Sequence, residues 1–557
     1  MRLSELLTTR GIENGDTQDL LAYAGYTHCL ADGLYTLLPL GQRVLQRINT
    51  IFRHEMSRAG AHELTMPLLQ PEKLWEKAIG EGQTRAESFG NELFRLANVP
   101  GERLILAPTH EEVAAIIGAA CIRETHHFPQ IIYQIQPRFR QQMCRIENGL
   151  LHTREFIMAD AYSFHADRAS LDSCYVSIKE AFSRIVSLCG VNAHVVSADT
   201  GAMGGEASEE LVASLPAAAS ATAVLCSRCG YAASTEIAEF ARMQFQDQAP
   251  LPLEEVPALD TLGTHRLIWV PFVAGGRIVL GVISSNELLN LNKFTKVLSR
   301  AGLKTDGLHP ASAQELIDFG ATYDWISLVR TPPSVFVVAD EAVRCGLNFC
   351  MPALRPAHFL TNVNATRDFR VDLFADISAP GEGSACSRCG NALQTIRGVE
   401  LGHVFKLGSR YAQAFGAHVD GRPMEMGCYG LGISRLMATI VEQLRDTRGI
   451  VWPERIAPFQ AIIVPLHAAA GVPEVAEQLY RQLMASGIDV LLDDSDSRPD
   501  NKLAYANLLG IPVKILLRDE KRKDIVEIEE RASSETHFTA LRDVAELMHR
   551  RATRSLL

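Results

Sequence analysis

The sequence predicts an α+β protein of three or four domains, and three observations carry that prediction. The chain has 557 residues, of which 47% are hydrophobic, and this length is too great for a single core. The first block alternates helical stretches (residues 41–58 and 109–121) with apolar runs typical of strands (residues 104–107 and 131–136). From residue 459 onwards strand and helix patterns alternate, which predicts a mixed sheet covered by helices.

The composition is that of a folded protein with an acidic balance. The formal net charge is −11 and the pI is about 5.9, which argues weakly against a nucleic-acid partner, although local patches can still bind one. The last 63 residues carry 12 Lys/Arg against 11 Asp/Glu, so this stretch is less acidic than the rest. No apolar run reaches 18 residues, and the N-terminus is charged, so we expect no membrane helix and a cytoplasmic location.

Breaks in the pattern divide the chain into blocks. A Pro/Ala-rich stretch over residues 214–223 ends the first block. Between about 230 and 385 the pattern predicts an inserted α+β module, with strands over 277–283 and 334–339 and a helix over 312–319. The last block is predicted to contain strands over 459–465, 489–492 and 512–517 and helices over 472–486 and 502–510.

A threonine and two acidic residues follow the apolar run that ends at residue 107, in the segment Ala107-Pro-Thr-His-Glu-Glu112. A hydroxyl and a carboxylate two residues apart can both point into a pocket and hold a cation. The commoner meaning of the pattern is a helix N-cap at Thr109 followed by acids in the first turn. The residues alone leave both interpretations open, and both can hold at once.

Two arginines lie in segments with distinctive neighbours. Arg140 belongs to Gln136-Pro-Arg-Phe-Arg-Gln-Gln142, and Arg435 closes Met426-Gly-Cys-Tyr-Gly-Leu-Gly-Ile-Ser-Arg435. The planar fork of an arginine matches phosphate, and glycines let the backbone approach a ligand closely. A lone arginine on a strand is usually a solvated surface residue, and a bare G-x-G-x-x-R is a weak pattern.

Taken together, these segments resemble the class II aminoacyl-tRNA synthetases, and among them the bacterial-type prolyl-tRNA synthetases. Residues 60–67 resemble motif 1, residues 136–165 motif 2 and residues 426–435 motif 3. The resemblance implies an antiparallel-sheet catalytic domain, an inserted editing-like α+β domain, a C-terminal α/β anticodon-binding domain and a homodimer built through motif 1. The implied boundaries are 1–225 and 398–457 for the catalytic domain, 226–397 for the inserted domain and 458–557 for the anticodon-binding domain.

The resemblance also implies an activity and the residues that perform it. The activity is proline–tRNA ligation, in which L-proline is activated by ATP with Mg²⁺ and transferred to tRNA(Pro). Thr109 and Glu111 are implied as ligands of the proline amine, with His403 and Phe405 lining the proline pocket. Arg140 and Arg435 are the implied catalytic residues, on the α- and γ-phosphates. The implied ATP-binding residues are Arg140, Gln142, Glu400, Gly430, Gly432 and Arg435.

Four of the twelve cysteines form two matching pairs, Cys226-Ser-Arg-Cys229-Gly and Cys386-Ser-Arg-Cys389-Gly. Two such knuckles supply four thiolates, which suits a tetrahedral structural Zn²⁺. They flank the inserted block, so a metal would join its entry and exit. Chance pairing is the weaker interpretation, because the two pairs share their sequence, and nothing nearby supports redox activity.

The chain departs from the family at several positions. Gln142 stands where the family has a glutamate that reads adenine, and Pro271 stands where its editing domain has a lysine. Arg330-Thr-Pro-Pro-Ser-Val335 replaces a glycine-rich loop, so we expect no editing by this chain. The change of Phe-Ala-Asp to Leu503-Ala-Tyr505 affects the anticodon-binding domain.

Three functions are therefore compared. The first is a working proline–tRNA ligase without editing in cis. The second is a synthetase paralogue that keeps adenylation but has altered tRNA or substrate use, or resists an inhibitor. The third is a non-catalytic tRNA-binding or regulatory protein, which the presence of Thr109, Glu111, Arg140 and Arg435 disfavours.

Overall fold

The structure, a computed structural model, divides the chain into two units. Unit 1 comprises residues 1–195, 200–220 and 398–557, and unit 2 comprises residues 196–199 and 221–397. The finer division at residues 225, 397 and 457 stays a prediction. The described residues are 1–7, 20–77, 79, 84–97, 101, 103–141, 146–242, 249–257, 265–285, 287–305, 307–318, 328–353, 355, 357–466, 472–518 and 524–556.

A mainly antiparallel sheet lies at the centre of unit 1. Its strands, in the order in which they pair, are Ala193–Ala198, Ala207–Ser214, Gln394–Gly408, Glu425–Gly432, Glu155–His165, Gln130–Phe139 and His62–Glu63. The fifteen-residue strand Gln394–Gly408 pairs antiparallel with both of its neighbours, and the short strand His62–Glu63 pairs parallel with Gln130–Phe139. The expected antiparallel catalytic sheet is therefore confirmed.

Helices and short hairpins surround this sheet. Helix Pro39–Arg58 places Val44, Ile48, Phe52 and Met56 on one buried stripe, which is the spacing that packs a helix on a sheet. The other helices are Leu20–Tyr23, Arg85–Phe89, Glu111–Cys121, Arg168–Leu188, Arg410–Phe415 and Ile433–Leu444. The hairpins pair Thr27–Ala31 with Leu34–Leu37, Leu69–Pro71 with Leu104–Leu106, and His418–Val419 with Arg422–Pro423.

The expected N-cap at Thr109 is wrong. The helix begins at Glu111, and its N-cap position is His110, which makes no side-chain capping bond. The reason is that the Thr109 hydroxyl donates to the carboxylate of Glu111 instead of accepting a backbone N–H in the first turn. Glu111 and Glu112 do lie in that first turn, where the helix dipole favours negative charge.

The C-terminal part of unit 1 is a five-stranded sheet with covering helices, as the alternating pattern predicts. The strands, in spatial order, are Val490–Leu492, Ala461–Pro465, Val513–Leu517, Ile525–Glu530 and Thr536–Ala540. The first three are parallel and the last two antiparallel. The helices are Val472–Ala485, Pro499–Leu509 and Val544–Leu556.

Unit 2 has its own α+β core. Its main sheet contains His309–Pro310, Leu267–Ala274, Arg277–Ser284, Phe336–Asp340 and Leu373–Ala375, and a second sheet contains Glu254–Val256, Phe359–Val363 and Phe349–Pro352. The helices are Leu291–Arg300, Ala313–Asp318 and Glu341–Cys345. Shorter pairings join Ala221–Leu225 to Ala232–Ser234, Phe240–Ala241 to Ala385–Cys386, and Leu288–Leu289 to Ser378–Ala379.

Among the described residues, no helix is both long enough and apolar enough to cross a membrane.

Candidate active site

The turn between strand Leu104–Leu106 and helix Glu111–Cys121 carries a buried hydroxyl–carboxylate pair, Thr109 and Glu111. Thr109 is 5% exposed and Glu111 is fully buried. The Thr109 hydroxyl lies 2.8 Å from each carboxylate oxygen of Glu111. These two residues therefore form one polar group inside the protein, as the resemblance implies for an amine-binding site.

Two further side chains fix this turn. The Cys428 thiol donates to Glu111 Oε1 at 3.0 Å, and burial, followed by the charge of Glu111, raises the pKa of that thiol. Cys428 is thus a neutral donor and not a nucleophile. The Tyr162 hydroxyl accepts the backbone N–H of His110 at 3.1 Å and donates to Asp160 Oδ2 at 2.8 Å.

A buried arginine contacts the carboxylates of both Glu111 and Glu112. Arg85, which is 2% exposed, donates from Nη2 to Glu111 Oε2 at 3.0 Å and from Nε to Glu112 Oε1 at 2.8 Å. The sequence gives no signal for this role, because Arg85 lies 26 residues before Glu111 in a five-residue helix. The contact exists only through the tertiary fold.

The strand Gln394–Gly408 brings Glu400, His403 and Phe405 to one side of the sheet. The rings of His403 and Phe405 stack with centroids 3.9 Å apart, and His403 Nδ1 lies 3.5 Å from Glu400 Oε1. Residues 400 and 403 would face opposite sides of a regular strand. A register shift between Glu400 and Gly402 interrupts the alternation of sides along the strand. The side chains of Glu400 and His403 therefore lie on the same side of the sheet.

The two predicted catalytic arginines lie near Glu400. Arg435, in the first turn of helix Ile433–Leu444, donates to the carbonyls of Leu151 at 3.0 Å and Glu400 at 2.7 Å. Burial alone would raise the pKa of Glu400, but His403, Arg435 and Arg140 lower it to about 2. Glu400 is therefore ionised beside the arginines at neutral pH.

Arg140 lies just beyond the end of strand Gln130–Phe139. Its guanidinium lies 5.5 Å from the ring centroid of Phe156, and its backbone N–H donates to Arg154 at 2.9 Å. Burial lowers the pKa of Arg140, while the charge of Glu400 opposes that shift. Arg140 as a residue is partly exposed, and its guanidinium lies within the electrostatic reach of Glu400, Arg435 and Glu111.

The predicted glycines flank this group. Gly430 and Gly432 lie in strand Glu425–Gly432, and a Cβ on Gly432 would lie 3.3 Å from Arg435 Cβ, so a side chain there would press on the arginine. Gln142 lies outside the described residues.

Several polar atoms of the site fit ATP and Mg²⁺. The Nε atoms of Arg140 and Arg154 are buried and have no hydrogen-bond partner within the described part of the chain, so they can donate to phosphate oxygens. Glu210, Glu400 and His403 each place one ligand atom within 4.8 Å of the others, and carboxylate oxygens are preferred ligands of Mg²⁺. Sequence patterns single out neither Arg154 nor Glu210 for these positions.

Comparison with known proteins identifies the family. Residues 94–444 match the tRNA synthetase class II core domain (G, H, P, S and T), and residues 460–551 match an anticodon binding domain. Proteins named proline–tRNA ligase are 37% identical in a Thermoanaerobacter species (strain X514), where the alignment covers 98% of both chains, and 36% identical in Thermotoga neapolitana, where it covers 93% of this chain and 91% of the relative. The chain belongs to the proline–tRNA ligases.

A solved structure shares the fold of this family member. The prolyl-tRNA synthetase from Cryptosporidium parvum, in complex with halofuginone and AMPPNP, has a TM-score of 0.57 and 12% identity. The alignment covers 96% of this chain and 77% of that chain. The class II catalytic fold with an anticodon-binding domain is thereby confirmed.

The four knuckle cysteines of this ligase lie together within unit 2. Cys226 Sγ is 3.5 Å from Cys389 Sγ, and Cys229 Sγ is 3.6 Å from Cys386 Sγ. All four sulfurs lie within 4.8 Å of one another. Four Zn–S bonds of about 2.3 Å in a tetrahedron place the sulfurs about 3.8 Å apart, which agrees with the two short separations. The sulfur cluster therefore has the size of a zinc site.

The two knuckles also share one backbone conformation. In the first, Cys226 N donates to Tyr231 at 2.7 Å, and in the second, Cys386 N donates to Asn391 at 2.8 Å. Gly230 and Gly390 both adopt a φ of 72°, which a residue with a Cβ rarely adopts. The backbone N–H of Cys229, opposed by burial, lowers the pKa of Cys226 to about 6, which favours the thiolate that a metal needs.

Proposed function

We propose that this chain activates L-proline with ATP and Mg²⁺ and transfers the prolyl group to tRNA(Pro), with the residue roles given below. The observation that carries the proposal is the buried Thr109–Glu111 pair, because its carboxylate suits the cationic secondary amine of proline. A fixed buried acceptor rejects analogues that lack the matching donor.

Each side chain has a defined task in the first half-reaction. Glu111 and Thr109 bind the amine, and the stacked His403 and Phe405 bound the proline ring. The proline carboxylate then attacks the α-phosphorus of ATP in line, and pyrophosphate leaves.

The arginines stabilise the charge that grows during this step. Arg140 donates to the α-phosphate and Arg435 to the γ-phosphate, while Gln142 accepts from adenine and Gly430 and Gly432 leave room for the nucleotide. Glu400 and Glu210 would hold Mg²⁺, which supplies charge neutralisation for the leaving pyrophosphate. In the second half-reaction a terminal hydroxyl of the tRNA attacks the prolyl carbonyl carbon, an ester forms, and the bond to AMP breaks so that AMP leaves.

Three finer proposals accompany this function. The knuckle cysteines Cys226, Cys229, Cys386 and Cys389 hold a structural Zn²⁺, the chain does not edit alanyl-tRNA, and it works as a homodimer. The sulfur geometry supports the first. Pro271 supports the second, since it cannot supply charge. The position of His62–Glu63 as the terminal strand of the described sheet supports the third, because a strand edge can pair with a second copy.

The proposed function is tested by proline-dependent exchange of pyrophosphate into ATP, followed by charging of tRNA(Pro). We expect both activities. Exchange without charging of tRNA(Pro) would favour a paralogue that keeps adenylation but uses another acceptor. The absence of proline-dependent exchange would refute the proposal.

A further inference from the structure

Arg85 lies inside unit 1 between two carboxylates that water does not reach. Glu111 and Glu112 are both fully buried, and Arg85 bonds to one oxygen of each. Its guanidinium also lies over three aromatic rings, at 4.8, 5.2 and 5.5 Å from the centroids of Phe89, Trp75 and Tyr411 respectively. The arginine is therefore held in one position.

The three charges do not balance. One guanidinium faces two carboxylates, so the Arg85–Glu111–Glu112 cluster carries a net charge of −1 when all three groups are ionised. An unbalanced buried charge is costly unless another group compensates it. Glu112 Oε2 is buried and has no hydrogen-bond partner in the described part of the chain, and burial, opposed by Arg85, raises the pKa of Glu112.

The oxygens of Glu111 already have donors on both sides. The Thr109 hydroxyl lies 2.8 Å from both Oε1 and Oε2, Cys428 donates to Oε1 and Arg85 donates to Oε2. In the described part of the chain, the acceptor of the cluster without a donor is Glu112 Oε2. A ligand that carries positive charge beside Glu111 would balance the charge of the cluster.

A purely structural ion-pair cluster is the alternative explanation. Arg85 also donates to the carbonyl of Ala202 and approaches Met203 Sδ at 3.5 Å, so it does tie the turn Gly201–Met203 to the two carboxylates. In a purely structural cluster, a proton on Glu112 would balance the charge, and Glu112→Gln would then leave the KM for proline unchanged. The effect of Glu112→Gln on that KM therefore distinguishes the two explanations.

We propose that Arg85 is a positioning residue for amino-acid activation, which holds Glu111 and Glu112 so that the cluster keeps one net negative charge for the ammonium of the substrate. This inference rests on the proposed function. The site then selects a cationic amine by charge as well as by shape. A neutral isostere of proline, tetrahydrofuran-2-carboxylate, lacks that charge and should not inhibit exchange at concentrations near the KM for proline.

The test changes the net charge of the cluster by mutation and measures the effect on the KM for proline. Arg85→Met leaves two carboxylates without a cation, Glu112→Gln leaves a neutral pair, and the double variant Arg85→Met/Glu112→Gln restores a net charge of −1. The KM for proline, the KM for ATP and kcat are measured by pyrophosphate exchange. Arg95→Met is the matched control, because Arg95 forms its pair with Glu72 and is 44% exposed.

We expect Arg85→Met to raise the KM for proline by about tenfold or more, since removing one partner of a buried ion pair leaves an uncompensated charge. Glu112→Gln should raise it several-fold, the double variant should recover most of the loss of Arg85→Met, and the KM for ATP should stay within about twofold throughout. If Arg85→Met does not fold, Glu112→Gln and the double variant decide the question.

Two results would overturn the inference. One is a KM for proline in the double variant that is no lower than the KM of the more impaired single variant. The other is an equal rise of the KM for proline and the KM for ATP. Absence of proline-dependent exchange in the unmodified protein would count against the proposed function instead, so the two failures are distinguishable.

Discussion

At the scale of single residues, the protein holds Arg435 and Arg140 in different ways. Arg435 is fixed by two backbone carbonyls, those of Leu151 and Glu400. The Nε of Arg140 has no such partner among the described residues. Arg435 therefore supports the local structure as well as the reaction, whereas Arg140 is available to a phosphate.

We expect Arg140→Ala and Arg435→Ala each to lower proline-dependent exchange by a factor on the order of 10²–10³, because a lost charge contact in a dry site costs several kcal/mol of transition-state stabilisation. Arg435→Ala should also lower the Tm, and Arg140→Ala should not. Arg481→Ala, on an exposed helix surface, is the control. Exchange near the unmodified rate in either variant would remove that arginine from the mechanism.

At the scale of elements, the knuckles are two copies of one turn that together enclose four sulfurs. We expect elemental analysis of untagged protein to find one zinc per chain, and Cys226→Ser to remove it and lower the Tm, because metal binding stabilises the folded state. Cys345→Ser, at an exposed cysteine outside the cluster, should change neither. Protein without metal, in which all four thiols react freely, would contradict this expectation.

The strand Leu267–Ala274 bears on editing. Pro271 pairs with Leu280 in the middle of that strand, where it offers neither a charge nor a backbone N–H. We expect preformed alanyl-tRNA(Pro) to lose its ester at the spontaneous rate, although the synthetic site rejects alanine by only about 1–3 kcal/mol per missing methylene. Faster loss that mutations within residues 260–340 abolish would show a surviving editing site.

At the scale of the whole molecule, the first residues of the chain pack against its C-terminal part. Arg2 pairs with Glu477 at 2.8 Å, Ser4 N donates to Asp494 at 2.9 Å, and Leu492 N donates to the carbonyl of Met1 at 3.1 Å. These contacts fix the segment against the helix Val472–Ala485 and the end of strand Val490–Leu492. They fix the N-terminus of the chain on the part that matches an anticodon binding domain.

We expect the double variant Arg2→Ala/Ser4→Ala to charge tRNA(Pro) with a KM for tRNA raised several-fold, while proline-dependent exchange stays unchanged. The variant removes the Arg2–Glu477 ion pair and the hydrogen bond from the Ser4 hydroxyl to Asp494. The effect is modest because both side chains are partly exposed, and an exposed ion pair contributes only about 0.2–1 kcal/mol. The substitution Arg550→Ala, at an exposed arginine that pairs with Glu546 of its own helix, serves as a control. An equal loss in both assays would point to general destabilisation.

Assembly is the other property of the whole molecule that can be tested. We expect light scattering after size exclusion to give twice the chain mass of 61.2 kDa at micromolar concentration, because the segment that resembles motif 1 contains the terminal strand His62–Glu63. A mass of one chain under those conditions would contradict the dimer.

Much of the site follows from local sequence. The pair Thr109 and Glu111, the Arg140 and Arg435 segments and each of the two knuckles consist of residues a few positions apart, so the sequence marks them as candidates although spacing alone leaves their roles open. The alternation of the last hundred residues likewise predicts its first three strands and first two helices, because period and turn residues are local properties. The strands Ile525–Glu530 and Thr536–Ala540 and the helix Val544–Leu556 were not predicted. The family resemblance adds the functional assignment.

Tertiary structure alone decided three other features. Arg85 reaches Glu111 across 26 residues, and no periodicity encodes that contact. The register shift after Glu400 turns two residues of odd spacing to one side, which depends on pairing with strand Ala207–Ser214. The cysteine pairs, 157 residues apart from Cys229 to Cys386, close only when the inserted unit folds. Each is a contact between distant segments, whose energy arises from packing and charge that exist only after the chain has folded.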